Sequence, residues 1–296
     1  LKFSSGGNQA VTGAIVSTTN DVGSKIVIAN GAHTVTFNSA IGVNGANGVG
    51  SLVVEAGTRG NATFSSTVNV NVVDIDTDAG ASVMDFNGNV EGGAWNIETG
   101  GASGETAGVN FAGNVTLTSL NIDKEHSSAE ATVGFVGSSA QTIAGDITAS
   151  GDGDGLIVIS NTHSSGATFS DDIGTNSNRI GTMNIASVAT FSSTVNVDTV
   201  DIDTDAGPET VTFSGNVTGV DWNIETGGSG DTAAVNFRGN VSLSSLTLNE
   251  ETADATVTFD GGSTQTVAGD IKAGNNGEGK LVINNSNGIT FNDDIG

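Results

Sequence analysis

The segment ATFSSTVNVNVVDIDTDAG beginning at Ala62 returns as ATFSSTVNVDTVDIDTDAG beginning at Ala189, an offset of 127 residues, and WNIETGG occurs at Trp95 and again at Trp222. Repetition of this kind restricts the fold severely. Each copy must bury its apolar face against the next, and periods of about 20–50 residues mark solenoids, propellers and arrays.

Phenylalanine exposes a finer period. The twelve Phe are spaced 34, 27, 22, 25, 24, 34, 22, 22, 24, 22 and 32 residues apart, from Phe3 to Phe291. Each Phe marks one coil, and coils come in fives, a long coil opening each set at Phe3, Phe135 and Phe259. Two residues before most Phe sits a small or branched apolar residue such as Val35, Ala62, Val109 or Val235. The pair points inward and the residue between them outward, as on a half-buried strand. A Gly-Asn turn follows in FNGNV, FAGNV, FSGNV and FRGNV, from Phe86, Phe111, Phe213 and Phe237. Glycine is expected there to supply a positive φ. Further inward runs lie at +4 and +6 (Val115 and Leu117) and at +9 and +11 (Leu120 and Ile122), giving three short strands per coil.

The long coils carry the only Gln in the chain, Gln9, Gln141 and Gln265, each before V/I-x-G-x-I, which reads as a structured insertion. A four-stranded propeller blade needs about 40–45 residues. Coils of 22 to 25 fit instead an all-β, parallel β-solenoid (β-helix) of about twelve coils, roughly 55 Å long at ~4.8 Å per coil. Phe is expected to stack on Phe in an interior ladder, and the turn Asn residues to hydrogen-bond along the stack. The whole chain, 1–296, reads as one continuous solenoid with super-repeats of about 1–132, 133–256 and 257–296. Neither end reads as a polar cap, so the expectation is a segment of a longer repeat protein.

Composition agrees with ordered repetition. Gly 44 against Pro 1 could signal disorder, but 36% hydrophobic residues at regular intervals would have no purpose in a disordered tract. A net charge of −25 argues against nucleic acid and anionic membrane surfaces as partners, and it could recruit divalent cations. Without cysteine there is neither a disulfide nor a thiolate metal site. No apolar run reaches 18 residues, so no membrane insertion is expected in this segment.

The polar constellation that recurs is VDIDTDAG, with Asp74, Asp76 and Asp78 in one copy and Asp201, Asp203 and Asp205 in the other. Since Ile75 and Ile202 should face the core, these carboxylates face out and form the candidate calcium ligands. The glycine falls one place late for an EF-hand loop and the twelfth position lacks Glu; an acidic strand that discourages edge pairing is the alternative. No catalytic group of carboxylates and bases recurs. Arg59, Arg179 and Arg238 fall on different coils, and His33, His126 and His163 lie in polar surroundings, so no enzyme is expected. Thr before Phe raises an ice-binding reading, but the paired TVTF form occurs only on separated coils, at Thr34, Thr210 and Thr256. Sequons at Asn61, Asn114, Asn216, Asn240 and Asn284 are ordinary for this composition. Trp95 and Trp222 hold a +9 core position.

The run of T-F-x-G-N-V, L-x-I and Q-T-V-A-G-D-I elements resembles the long bacterial β-solenoid surface proteins: autotransporter passengers, filamentous-haemagglutinin-type adhesins and surface-layer or filament proteins. The resemblance implies a secreted or cell-surface structural rod that self-associates through copies of itself or neighbouring repeats. A second implied role is an adhesin presenting coil loops, such as ETGGASGETAG from Glu98 and DKEHSSAEA from Asp123, to a glycan or host ligand. A polysaccharide-acting β-helix enzyme ranks third.

Overall fold

A strand that crosses a corner shows how this sequence bends into a coil. In Val115–Lys124, Val115 and Leu117 point inward, Thr118 and Ser119 both point outward, and Leu120 and Ile122 point inward again. Two successive outward residues break the period-2 alternation and turn the chain onto the next face. Val68–Thr77, Val195–Thr204 and Val241–Glu250 have the same length and carry the same two inward runs.

In the computed structural model, which describes residues 1–4, 6–17, 21–43, 48–54, 60–77, 81–100, 103–204, 208–226, 232–250 and 254–296, no helix occurs among the described residues and every strand pair is parallel. The strands stack into a β-solenoid of about 11 turns, close to the twelve expected. One apolar core runs its length, from Phe3 to Ile271, fringed by Val11, Ile15, Leu281, Ile289 and Phe291.

The Phe ladder departs from expectation. Phe37, Phe64, Phe86, Phe111 and Phe135 share one register column, the first face, continued by Ile159, Ile185 and Ile202. Phe169, Phe191, Phe213, Phe237 and Phe259 share a different column, the second face, which earlier turns fill with Val90, Val115 and Ile143. Phe3 and Phe291 lie on the third face, over Ile28 and under Val267. Within each five the neighbouring rings are stacked, at centroid separations of 4.5–5.8 Å. At the three boundaries they meet edge-on, at 89°, 90° and 85°.

The long interval is therefore one full turn plus one face. Phe135 pairs with Ile159, 24 residues on, and ten more residues bring Phe169 to the adjoining face. Each super-repeat thus advances the whole motif by one side of a three-sided rod. The long coils close the Phe stacks at Phe135 and Phe259 rather than opening them. The Gln segment is no insertion either. Gln141–Ala149 is a full rung, paired with Val115–Lys124 on one side and Ala167–Phe169 on the other.

Gln141 explains how the boundary turn holds. Its buried side chain donates from Nε2 to the carbonyls of Phe111 and Gly113, both at 2.9 Å, and accepts at Oε1 from Gly137 N (3.1 Å) and Asn161 Nδ2 (2.6 Å). Gln265 repeats the pattern with Phe237, Gly239, Gly261 and Asn285. A buried amide is tolerated because all of its groups are paired. Four residues further on, Gly145 and Gly269 take φ of 107° and 105° where the register slips against the preceding turn. That conformation is open to glycine and strained for other residues.

The turn glycines need a different explanation from the one expected. Gly88, Gly113, Gly215 and Gly239 do not have positive φ. A Cβ on any of them would lie 2.2–2.5 Å from backbone atoms of the preceding turn. They are required by the closeness of the stack. The Asn ladder forms as expected: Asn89 Oδ1 accepts from Asn114 N, Asn114 Oδ1 from Thr142 N, Asn216 Oδ1 from Asn240 N, and Asn240 Oδ1 from Thr266 N. Three sequon asparagines are thereby engaged in the stack.

Candidate functional site

The one-face advance decides where the acidic strands go. Asp74 and Asp76 flank Ile75 on the third face, whereas Asp201 and Asp203 flank Ile202 on the first. Following Val73 through Trp95, Leu120, Ile147 and Ile173 to Val195 counts five turns between them. At ~4.8 Å per turn that is roughly 24 Å along the axis. The two acidic strands are thus separate surfaces that point in different directions. Asp78 and Asp205 lie outside the described residues. Among the described residues no group of three or more Asp, Glu or His is placed to hold a metal ion.

Neighbouring turns instead build two side-by-side polar ladders. Asp74 pairs in register with Asn96, then Asn121, then Thr148. Asn121 Nδ2 donates to Asn96 Oδ1 at 2.8 Å, and Thr148 Oγ1 to Asn121 Oδ1 at 3.1 Å. In the second copy Asn223 Nδ2 donates to Asp201 Oδ1 at 3.1 Å and to Glu225 Oε2 at 3.0 Å. Beside the amides runs an acidic ladder, Asp76–Glu98–Asp123, matched by Asp203–Glu225–Asn249 in the second copy.

Glu98 carries the electrostatic strain of that ladder. Partial burial, a hydrogen bond with Glu125, and the charges of Asp76, Asp123 and Glu125 push its pKa up to about 7. Its amide neighbour compensates in part, since Asn96 Nδ2 donates to Glu98 Oε2 at 2.7 Å. Glu98, Asp123 and Glu125 were not among the sequence-derived candidates. The signal was available: NIET follows the first DIDT by one coil, which lays Glu98 beside Asp76.

Arg179, Arg238, His126 and His163 are occupied locally. Arg179 contacts Asp152 at 2.9 Å and Asp198 at 2.9 Å, tying together three turns at one corner, and its hydrogen bonds hold the Asp152 carboxyl down to about 2. Arg238 meets Asp260 at 3.4 Å. His126 Nδ1 accepts from Ser128 N at 3.1 Å, and His163 Nδ1 from Ser165 N at 3.0 Å, each closing its own turn. Arg59 lies outside the described residues.

The phase shift also assembles a threonine column that the TVTF pattern did not reveal. Thr142, Thr168, Thr190 and Thr212 pair in register on four successive turns of the second face. Its companion residues two places on are Ser170, Ser192 and Ser214, so the column is one Thr wide. Thr142 precedes Ile143 rather than Phe, which hides it from a Phe-anchored alignment. Trp95 and Trp222 are buried as expected, with Nε1 donating to the carbonyls of Val70 and Val197 at 3.2 and 3.1 Å.

No family model, curated protein or solved structure matches this chain.

Proposed function

We propose that this chain is a structural extracellular repeat protein, an elongated rod within a surface layer, filament or adhesin stalk. The observation that carries the reading is the one-face advance per super-repeat. Equivalent motifs, including the acidic ladders, point to different sides of the rod, which suits an element surrounded by neighbours or solvent and serves a one-sided catalytic groove poorly. The residues that recur between copies are core positions, turn residues, the Gln staples and the amide ladder, all of which maintain the stack, together with the acidic ladder on its surface. Self-association with copies or neighbouring repeats follows from this role, and the acidic faces would be bridged by calcium.

The test is imaging. Immunogold labelling of intact source cells should mark the surface, and negative-stain electron microscopy should show rods or fibres that shorten with chelator and recover with calcium. Intracellular label, or monodisperse particles indifferent to chelator in every preparation, would overturn the reading. An adhesin role is the second reading. It is favoured by the corner loop after Asp123, which is held in shape by the His126–Ser128 contact and by Ala129 N donating to His126 O at 3.0 Å.

A further inference from the structure

The corner at residues 119–135 is two residues longer than its copy at 245–259, and the additional length includes the Ser127–Ser128 pair. This loop forms one wall of a cleft of about 440 Å³ that three successive turns share. The floor comes from the two turns that follow. Gly153, Gly155 and Gly181 contribute half-buried backbone to it. Half-buried Leu156 supplies a small apolar area, and Thr182 and Asn184 close the far side. Thr132, Leu156 and Thr182 stand in one register column of the first face, which fixes the relation of wall to floor.

The lining chemistry narrows the occupant. Ser127, Thr182 and Asn184 each offer both a donor and an acceptor, Ser128 Oγ is already bonded to Ser103 Oγ and His126 Nδ1, and Lys124 and Glu130 add one charge of each sign. That set suits neither an anion, which a chain of net charge −25 would also repel, nor a metal, nor an apolar ligand. It matches a molecule dense in hydroxyls. The volume falls within the range of about 300–1,000 Å³ usual for small-molecule sites. The copy at the second boundary has Glu250 for Lys124 and Lys280 for Leu156 in register, so among the described residues the same lining chemistry does not recur there.

We infer that this cleft binds a short neutral oligosaccharide. Hydroxyls of the sugar pair with Ser127, Glu130, Thr182 and Asn184, and the flat ring face lies on the glycine backbone. The inference rests on the adhesin reading of the loop and not on the rod reading, which imaging tests separately.

The experiment is amide chemical-shift titration of the whole chain with cellotetraose, maltotetraose and chitotetraose, each to millimolar concentration. At least one should give saturable shifts centred on residues 124–131, 153–156 and 181–184. Thr182→Trp, which fills the cleft, and Asn184→Ala should each weaken binding at least tenfold. Thr247→Trp, on the same face three turns further on, should leave it unchanged. Unaltered shifts outside the cleft would confirm that each variant is folded. No saturable shift with any of the three sugars, shifts centred elsewhere, or binding unaffected by Thr182→Trp would overturn the proposal.

Discussion

Replacing Gln141 tests whether the boundary turns are held by a satisfied buried amide or merely by filled volume. Gln141→Leu keeps most of the volume and removes four hydrogen bonds. The carbonyl of Phe111 retains its bond from Val136 N at 2.9 Å, and Asn161 Nδ2 retains Ser139 O at 2.9 Å, so part of the network survives. Gly137 N, the second proton of Asn161 Nδ2 and one acceptor site on Gly113 O lose their partner. At about 1–3 kcal/mol for each unsatisfied buried group, offset by the apolar gain of leucine, a net loss of about 2–4 kcal/mol is expected. Gln141→Glu should be worse at neutral pH, because a carboxylate has no proton for the two carbonyls and brings a charge into a buried site. Its folded-state pKa would be raised, so the excess penalty is present above that pKa and declines as pH falls, where a protonated Glu donates to one carbonyl. Urea unfolding between pH 4 and 8, with native-state hydrogen exchange at Gly137 and Val136 as the local readout, measures both effects. Gln141→Leu within about 0.5 kcal/mol of the parent, or a Glu variant equal to the Leu variant at every pH, would refute the argument. Gln265 should behave in parallel.

Further outcomes follow from the same geometry. A Cβ at Gly92 would lie 2.1 Å from Val70 O and 2.8 Å from Trp95 Nε1, so Gly92→Ala should cost about 2 kcal/mol or more and alter Trp95 fluorescence; Gly219→Ala should do the same around Trp222. Since the folded chain holds a proton on Glu98 up to about pH 7 and the unfolded chain releases it near 4.5, stability should fall as pH rises through that window. Glu98→Gln should flatten this part of a melting-temperature profile, by about 1–2 kcal/mol once solvent screening of the partly exposed carboxyl is allowed for. Phe111, stacked between Phe86 and Phe135, should cost about 3–5 kcal/mol on Phe111→Ala. The loss should appear as exchange concentrated in the adjoining turns, because each turn of a solenoid is supported mainly by its neighbours.

Much of this molecule is legible along the chain. Alternation around each Phe identifies the core residues, the spacing of 22 to 25 excludes a propeller, and Trp95 and Trp222 declare themselves by holding a place that Leu fills elsewhere. The Gln residues mark every boundary. These are properties of neighbours in sequence, where side-chain direction follows from strand geometry. What the sequence left open is the angle around the rod. That angle depends on how residue count compares with the length of a turn, and turn length is set by how corners pack against the coils on either side. The extra third of a turn therefore looks like an insertion until Ile143 is seen between Val115 and Phe169. The same ambiguity hid the split of the Phe ladder, the separation of the two acidic strands onto different faces, and the Thr142–Thr212 column. The turn glycines gave the right residue for another reason, since the clearance between stacked turns is a tertiary distance. Strand, spacing and core were written locally; which surfaces face the same way was decided only when the coils closed on one another.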